Sequence, residues 1–435
     1  MPEPRQPEDA QFVESGSFRV DRARAIEKLS AFRSPGMGPV LFWTRLAAAA
    51  GAQSVRLTSR CREIELRFDG LPLPARALRD PFSALFDQEC RSTAQERFFA
   101  LGIVHAWRPA LAGLTVCSGR GGDRLRLDSP ALGQETVSLA DDGDGATVIR
   151  LSLKGEDPGF WLHPIPARSL ACRPLSQLWA PCPVERFEGD RLVGRVARGP
   201  AKPGELAFDE DGVVGHLSIP DDPSGRARVD VYHYGVLVGT EVFRRVSPPI
   251  VGKVDDRGLS LSADSTSIVR NERLARLERG LHRRAHELAL KVAREQVDAL
   301  PQAAALMRSK TPLHELWVRR IERGAAMEVE ALEARLVDDL PLPRWGVPMP
   351  WPTREERSFV LREACTTLWL RDVCQAAAGG PWSSVAPELR AAPIYLSRSM
   401  EPLSWEDLNK GALALTESSF ESERCRILRR SSEGG

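Results

Sequence analysis

The stretch FRVDRARAIEKLSAFRSPGMGPVLFWTRLAAAAGA, Phe18 to Ala52, decides how this chain is read. It reads as one helix over residues 22–34 and a second from Val40 to Ala52, where the alanine run has high helix propensity. Alternation in VRLTS and EIELRF predicts paired strands with Cys61 and Arg62 at the turn between them. ALRDPFSALF reads as a short helix, and LTVCSG, GDRLRLDS, ETVSLA and ATVIRLSLK as further strands. Together these segments predict an antiparallel sheet covered by helices on one face.

Four later segments follow the opening stretch in a fixed order. IELRFDGLPLP, Ile64 to Pro74, is an apolar strand running into Asp69 and Gly70. RFFALGIVHAW, Arg97 to Trp107, carries Gly102, and ATVIRLSLK, Ala146 to Lys154, opens on Thr147. IVGKVDDRGLSLSADSTSIVRNERLARLERGLHRRAHELALKVA, Ile250 to Ala293, is a strand and loop followed by a long amphipathic helix. As an ordered set they resemble the heat shock protein 90 family, part of the wider GHKL group of Bergerat-type ATPases that includes gyrase B subunits, mismatch-repair ATPases and histidine kinases. The resemblance covers roughly residues 16 to 300 and is low in identity.

In that family the second helix carries a Glu that activates water, an Asn that holds magnesium and a further Asp, all on one helical face. Thr44, Ala48 and Gly51 stand at those positions here. The adenine-binding Asp is matched by Asp69 followed by Gly70, but Leu71 and Leu73 replace the family's next glycines. Of the phosphate-cradling glycines at a helix N-terminus only Gly102 remains, with Arg97 and Ala100 in the other places. Thr147 matches the hydroxyl of the adenine-proximal water network, and Ser265 replaces the arginine that reaches the γ-phosphate. The resemblance therefore implies no catalytic side chain and no metal. What remains is a weak nucleotide pocket of Asp69, Gly70, Gly102 and Thr147, with residual ATP or ADP binding and otherwise no cofactor. Asp69 also reads, equally well, as a plain turn residue before Gly70.

The implied fold is α+β. A leader occupies residues 1–15, a degenerate Bergerat-type α/β sandwich 16–157 and a proline-rich connector 158–183. A middle αβ domain of ribosomal-protein type, with a left-handed crossover, follows over 184–300, and a helical and αβ region over 301–435. The implied function is that of a chaperone or scaffold that binds a client or partner protein without turning over ATP, a pseudo-ATPase. Two alternatives stand beside it. One is a working ATP-dependent chaperone with a displaced acid among Glu63, Glu65, Asp87 and Glu96; the other is a structural adaptor in a multiprotein assembly. No room is evident for the family's C-terminal dimerisation domain.

Composition agrees with a globular chain. Of 435 residues 42% are hydrophobic and 27% charged, and the formal net charge of +1 gives no overall pull toward nucleic acid or membrane. No apolar run approaches the roughly 18 residues a membrane span needs, and MPEPRQPEDAQ lacks the pattern of a signal peptide. A cytoplasmic setting is expected, in which the eight cysteines serve as small hydrophobes or unreactive thiols. Their spacing makes no zinc ribbon. His282 and His286 stand one helical turn apart, as a zinc pair would, but the flanking arginines favour a solvated helix face. GRGGD, Gly119 to Asp123, reads as a hairpin loop rather than an anion nest, and Ser118 lacks an elbow motif. The closing SSEGG reads as a flexible tail.

Overall fold

The computed structural model describes residues 21–31, 38–60, 62–87, 91–107, 111–141, 143–154, 185–188, 191–194, 203–220, 225–262, 267–323, 352–377, 386–397 and 400–409. The chain divides into two compact units, Met1–Cys172 and Arg173–Gly435. The division falls inside the stretch read as a connector, which lies outside the described residues. The architecture is α+β, with one sheet antiparallel in its described pairs and another mixed.

The N-terminal unit begins with helices α1 (Arg22–Ala31) and α2 (Gly38–Ala49) and the hairpin of β1 (Ser54–Arg60) and β2 (Glu63–Phe68). After α3 (Ala75–Arg79) and α4 (Ala94–Ala106) come β3 (Leu111–Ser118), β4 (Leu125–Ser129), β5 (Thr136–Leu139) and β6 (Thr147–Leu153). These strands lie in the order β5-β4-β3-β6-β2-β1. ALRDPFSALF does not form the single helix expected of it. Pro81 has no N–H to continue α3, and the chain restarts as one 3-10 turn at Ser83–Leu85.

Register explains the sheet's two faces. Leu57, Leu66, Ile149, Val116 and Leu127 stand opposite one another across five strands, none more than 1% exposed. One residue along, the pleat turns Thr58, Glu65, Arg150, Thr115 and Asp128 to the other face. There Arg150 Nε donates to Glu65 Oε2 at 2.8 Å and Thr115 Oγ1 to Asp128 Oδ1 at 2.9 Å. The apolar row needs a cover, and α2, packed against α4 and β2, helps to supply it.

In the C-terminal unit β7 (Glu185–Glu188) and β8 (Arg191–Gly194) form an antiparallel pair. A five-stranded sheet follows, built from β9 (Glu205–Glu210), β10 (Val213–Ser218), β11 (Ala227–His233), β12 (Val236–Phe243) and β13 (Val251–Asp256) in the order β12-β11-β13-β10-β9. Only β11 with β13 is parallel among its described pairs. Its hairpins turn on Asp211-Gly212 and Tyr234-Gly235, all four residues at positive φ as tight two-residue turns require. The remaining elements are α5 (Glu272–Ser309), α6 (Thr311–Arg323), α7 (Arg354–Ala377), α8 (Ala386–Ala391), β14 (Tyr395–Leu396), β15 (Pro402–Leu403) and α9 (Trp405–Asn409).

Helix α5 overruns its expected end. A stop near Ala299, before Pro301, is what proline's missing N–H predicts, yet the helix continues to Ser309. Pro301 itself is exposed, while Leu300, Ala303, Ala304 and Met307 bury against α6 and α7. A proline costs about 3 kcal/mol inside a helix, and burying residues such as Leu300 and Met307 returns roughly 1.5–3 kcal/mol each. The domain boundary expected at 300/301 thus falls within a continuous helix. Upstream, α5 lays Leu277, Leu281, Leu288 and Val292 into the core that includes Val229, Val231 and Val254 of the sheet and Trp369 of α7.

Among the described residues, that core is one of two buried clusters in the unit. Leu288 is fully buried, so Leu288→Ala is expected to cost about 2–5 kcal/mol in urea unfolding. A loss within about 0.5 kcal/mol, the range of surface substitutions, would contradict this packing.

Candidate functional site

The sequence-predicted positions meet where α2 ends. Thr44 is buried and its Oγ1 donates back to Val40 O at 2.8 Å, a local bond that leaves the hydroxyl turned to its own helix. Ala48 is buried one turn further on. The helix then stops: Gly51 takes φ +69°, its N–H donates to Ala48 O at 3.2 Å, and Ala52 N–H donates to Ala47 O at 3.0 Å. This is the double hydrogen bond of a glycine-capped helix end. Gly51 therefore does not extend the face that Thr44 and Ala48 share.

Beyond β2 the segment Asp69 to Leu73 forms a strap tied to four elements. Asp69 Oδ1 accepts from Gln53 N at 2.7 Å and from Ser54 N at 2.9 Å, clamping the entry to β1. Gly70, at φ +107°, passes so close to the end of α2 that a Cβ would lie 2.8 Å from Ala50 O and 2.9 Å from Ala52 N. Leu71 N–H donates to Ala50 O at 2.9 Å, and Leu71 O accepts from Gln95 Nε2 of α4 at 3.1 Å. Leu73 N–H donates to Ser118 Oγ at 2.9 Å, and that hydroxyl shares a hydrogen bond of 2.8 Å with Thr147 Oγ1. Thr147 stands opposite Phe68 in the β2–β6 register. Asp69, Gly70 and Thr147 are thus gathered, and each has a structural task.

Gly102 has another neighbour. It lies buried in the middle of α4, so the segment from Arg97 is helix already and not the expected turn into one, and a Cβ built at Gly102 would fall 2.0 Å from Trp43 Nε1 and 2.4 Å from Trp43 Cδ1. The indole of α2 is seated directly on the glycine. Trp43 is 1% exposed, and its Nε1 donor has no partner. Leaving such a donor unpaired costs roughly 1–3 kcal/mol, which the closeness of the two helices must offset. Phe42 stacks on His105 at 4.8 Å in the same interface. Ala100 is fully buried, and Arg97 is half-buried one turn earlier.

The four displaced-acid candidates also have places. Thr93 and Glu96 form a capping box at the start of α4, a reciprocal pair legible in the spacing Thr-x-x-Glu. Burial pushes the Glu96 carboxyl up, but hydrogen bonds from the Arg76 guanidinium and from the Thr93 amide and hydroxyl hold it below its ordinary value. Glu63 and Glu65 pair with Arg150 on the solvated face of the sheet. Asp87 accepts from Ser92 N.

A cavity of about 340 Å³ opens on the strap. Asp69 and Gly70 line it together with Arg56, Arg67, Arg120 and Asp144, and Arg67 pairs with Asp144. Thr44, Ala48, Gly102 and Thr147 are not in its lining. The predicted residues therefore surround the strap without sharing one cavity. Ser265 lies outside the described residues. Spacing alone did not single out Trp43, Gln95 or Ser118, because their roles depend on contacts across elements.

His282 and His286 pack edge to face at 4.7 Å, half-buried rather than solvated, and Ser247 N–H donates to His282 Nδ1 at 3.3 Å. Burial, with repulsion from His282, pushes His286 down to about 4. Among the described residues no group of three or more His, Cys, Asp or Glu is placed to hold a metal. Gly121–Asp123 forms a 3-10 turn between β3 and β4, and Cys374 is a buried thiol that burial pushes up to about 11. No family model matches the chain, and no curated protein matches it.

Gly102→Ala is expected to lower stability by about 1–3 kcal/mol through overpacking. Adding Trp43→Leu should then cost less than the two single changes summed, with a coupling of at least about 0.5 kcal/mol. Additive losses in urea unfolding would deny the contact. The depressed Glu96 carboxyl stabilises the fold above its ordinary value of 4.5, and that contribution disappears as pH falls through the lower folded value. Glu96→Gln should therefore flatten the acid limb of stability against pH; an unchanged limb would contradict the assignment.

Proposed function

We propose that this chain is a heat shock protein 90-like chaperone or scaffold that works by protein binding, with ATP hydrolysis absent. One observation carries the reading. The Trp43 indole occupies the space directly over Gly102, the single retained glycine of the phosphate-cradling set. A second supports it: the Asp69 oxygen expected to meet adenine already accepts two backbone amides. The layout of the N-terminal unit suits the same ancestry, since α2, the strand before Asp69, α4 and the strand from Thr147 converge on one strap in the order the family's motifs follow.

The chemistry of hydrolysis needs a base near water and a ligand for magnesium. Thr44 and Ala48 stand at those positions, the first bonded to its own helix and the second apolar. The groups at the aligned positions do not fit a triphosphate and its metal. The fold is then a rigid platform for a client or partner protein in the cytoplasm. Among the described residues no helix is long and apolar enough to cross a membrane.

Isothermal titration of the full chain with ATP and magnesium tests the reading, alongside phosphate release and suppression of aggregation of a heat-denatured protein. The expected result is no saturable heat, no phosphate release and suppressed aggregation. Micromolar ATP binding with turnover would overturn it in favour of a working ATPase. Co-purification of one stoichiometric partner, with no suppression of aggregation, would favour an adaptor.

A further inference from the structure

At its strap end the polar face of the N-terminal sheet is basic. There the cavity of about 340 Å³ lies between the start of β1, the end of β2 and the loop that leads into β6. That volume is at the small end of ligand pockets. Arg56, Arg67 and Arg120 line it against two carboxylates, Asp69 and Asp144. Asp144 pairs with Arg67 and its Oδ1 accepts from Ala146 N at 3.2 Å, while Asp69 Oδ1 already accepts the two amides at the entry to β1. The lining keeps one guanidinium charge in excess.

Two features set this cavity apart from an ordinary basic surface. Arg56 and Arg67 stand directly opposite each other in the β1–β2 register, on the face they share with Thr58 and Glu65. Like charges opposed across a strand pair destabilise a sheet. The other feature is Arg124, 6% exposed beneath Ala146 of the cavity wall. Its Nη1 donates to Gly119 O at 3.3 Å and its Nη2 to Ala146 O at 3.0 Å, and among the described residues no carboxylate pairs with it. A buried charge without a counter-charge is costly. Four guanidinia are thus gathered around two carboxylates, and the repulsion left over is what an arriving anion removes. Arg120 is in place for it: a Cβ at Gly145 would fall 3.3 Å from Arg120 Cγ, and among the described residues no group takes the Arg120 guanidinium.

We propose that this cavity binds a carboxylate, with Arg56, Arg67 and Arg120 donating to its oxygens and Arg124 adding its field from beneath Ala146. A guanidinium's fork of donors matches the two oxygens of a carboxylate, and such charge-assisted bonds are the strong ones. Among the groups that can touch a ligand the surplus is a single charge, which a carboxylate matches and a phosphate dianion exceeds. The inference stands apart from the proposed function. Suppressed aggregation with no carboxylate bound leaves that function standing and overturns this site, whereas a bound carboxylate beside ATP turnover does the reverse.

Titration of the full chain with glutarate, and separately with a capped Ala-Glu-Ala peptide, tests it. Saturable binding of glutarate alone assigns the site to a free small acid, and binding of the peptide assigns it to an acidic side chain on a polypeptide; either supports the proposal. Arg120→Gln, at an exposed position, should weaken binding about tenfold or more. Arg62→Gln, the same loss of charge at the far end of the β1–β2 hairpin, should leave it unchanged. Three results overturn the proposal: neither probe saturates the folded wild-type chain, whether or not inorganic phosphate does; a capped Ala-Gln-Ala peptide binds as well as its glutamate counterpart; or the two arginine variants bind alike.

Discussion

The seat of the Trp43 indole on Gly102 is the constraint on which the N-terminal unit depends. Two helices can approach this closely only where one presents no Cβ, and Gly102 supplies that gap. The approach brings the end of α2 within reach of the strap, where Gly70 repeats the same device against the backbone of Ala50 and Ala52. Two glycines thus set the spacing of α2, α4 and the strap. Substitution at either would push apart elements whose backbone bonds are already made.

A nucleotide pocket and a packed core ask opposite things of the same positions. A pocket keeps glycines bare so that a phosphate can approach amides; a core keeps them bare so that a side chain can. Here the bare positions face an indole and a helix end. The hydroxyls follow the same rule, with Thr44 bonded to its own helix and Thr147 joined to Ser118 beneath the strap. Asp69, Gln95, Ser118 and Thr147 around the strap each bond within the protein, and this is what supports the proposed scaffold over a hydrolase.

Much of the fold is legible in the sequence because its signals are local. Alternation marks the β1–β2 hairpin, Asp-Gly marks the β9–β10 turn, and Thr93 with Glu96 marks the start of α4. Local rules mislead where burial outweighs them. Pro301 argues for a helix end that four buried neighbours override, and the alanine run argues for helix as far as Ala52 although Gly51 caps it earlier. The site was legible only as a set of positions. That Asp69 clamps Gln53 and Ser54, that Gln95 holds Leu71, and that Trp43 covers Gly102 all join residues 15 to 59 apart, and nothing in their spacing announces the contact.

The most direct test is a high-resolution crystal structure of the full chain grown with a non-hydrolysable ATP analogue and magnesium. The expected result is the Trp43 ring lying on Gly102 and Asp69 bound to the amides of Gln53 and Ser54, with no triphosphate beside α2. An ordered triphosphate and metal between α2 and α4, with the indole swung away from Gly102, would contradict it.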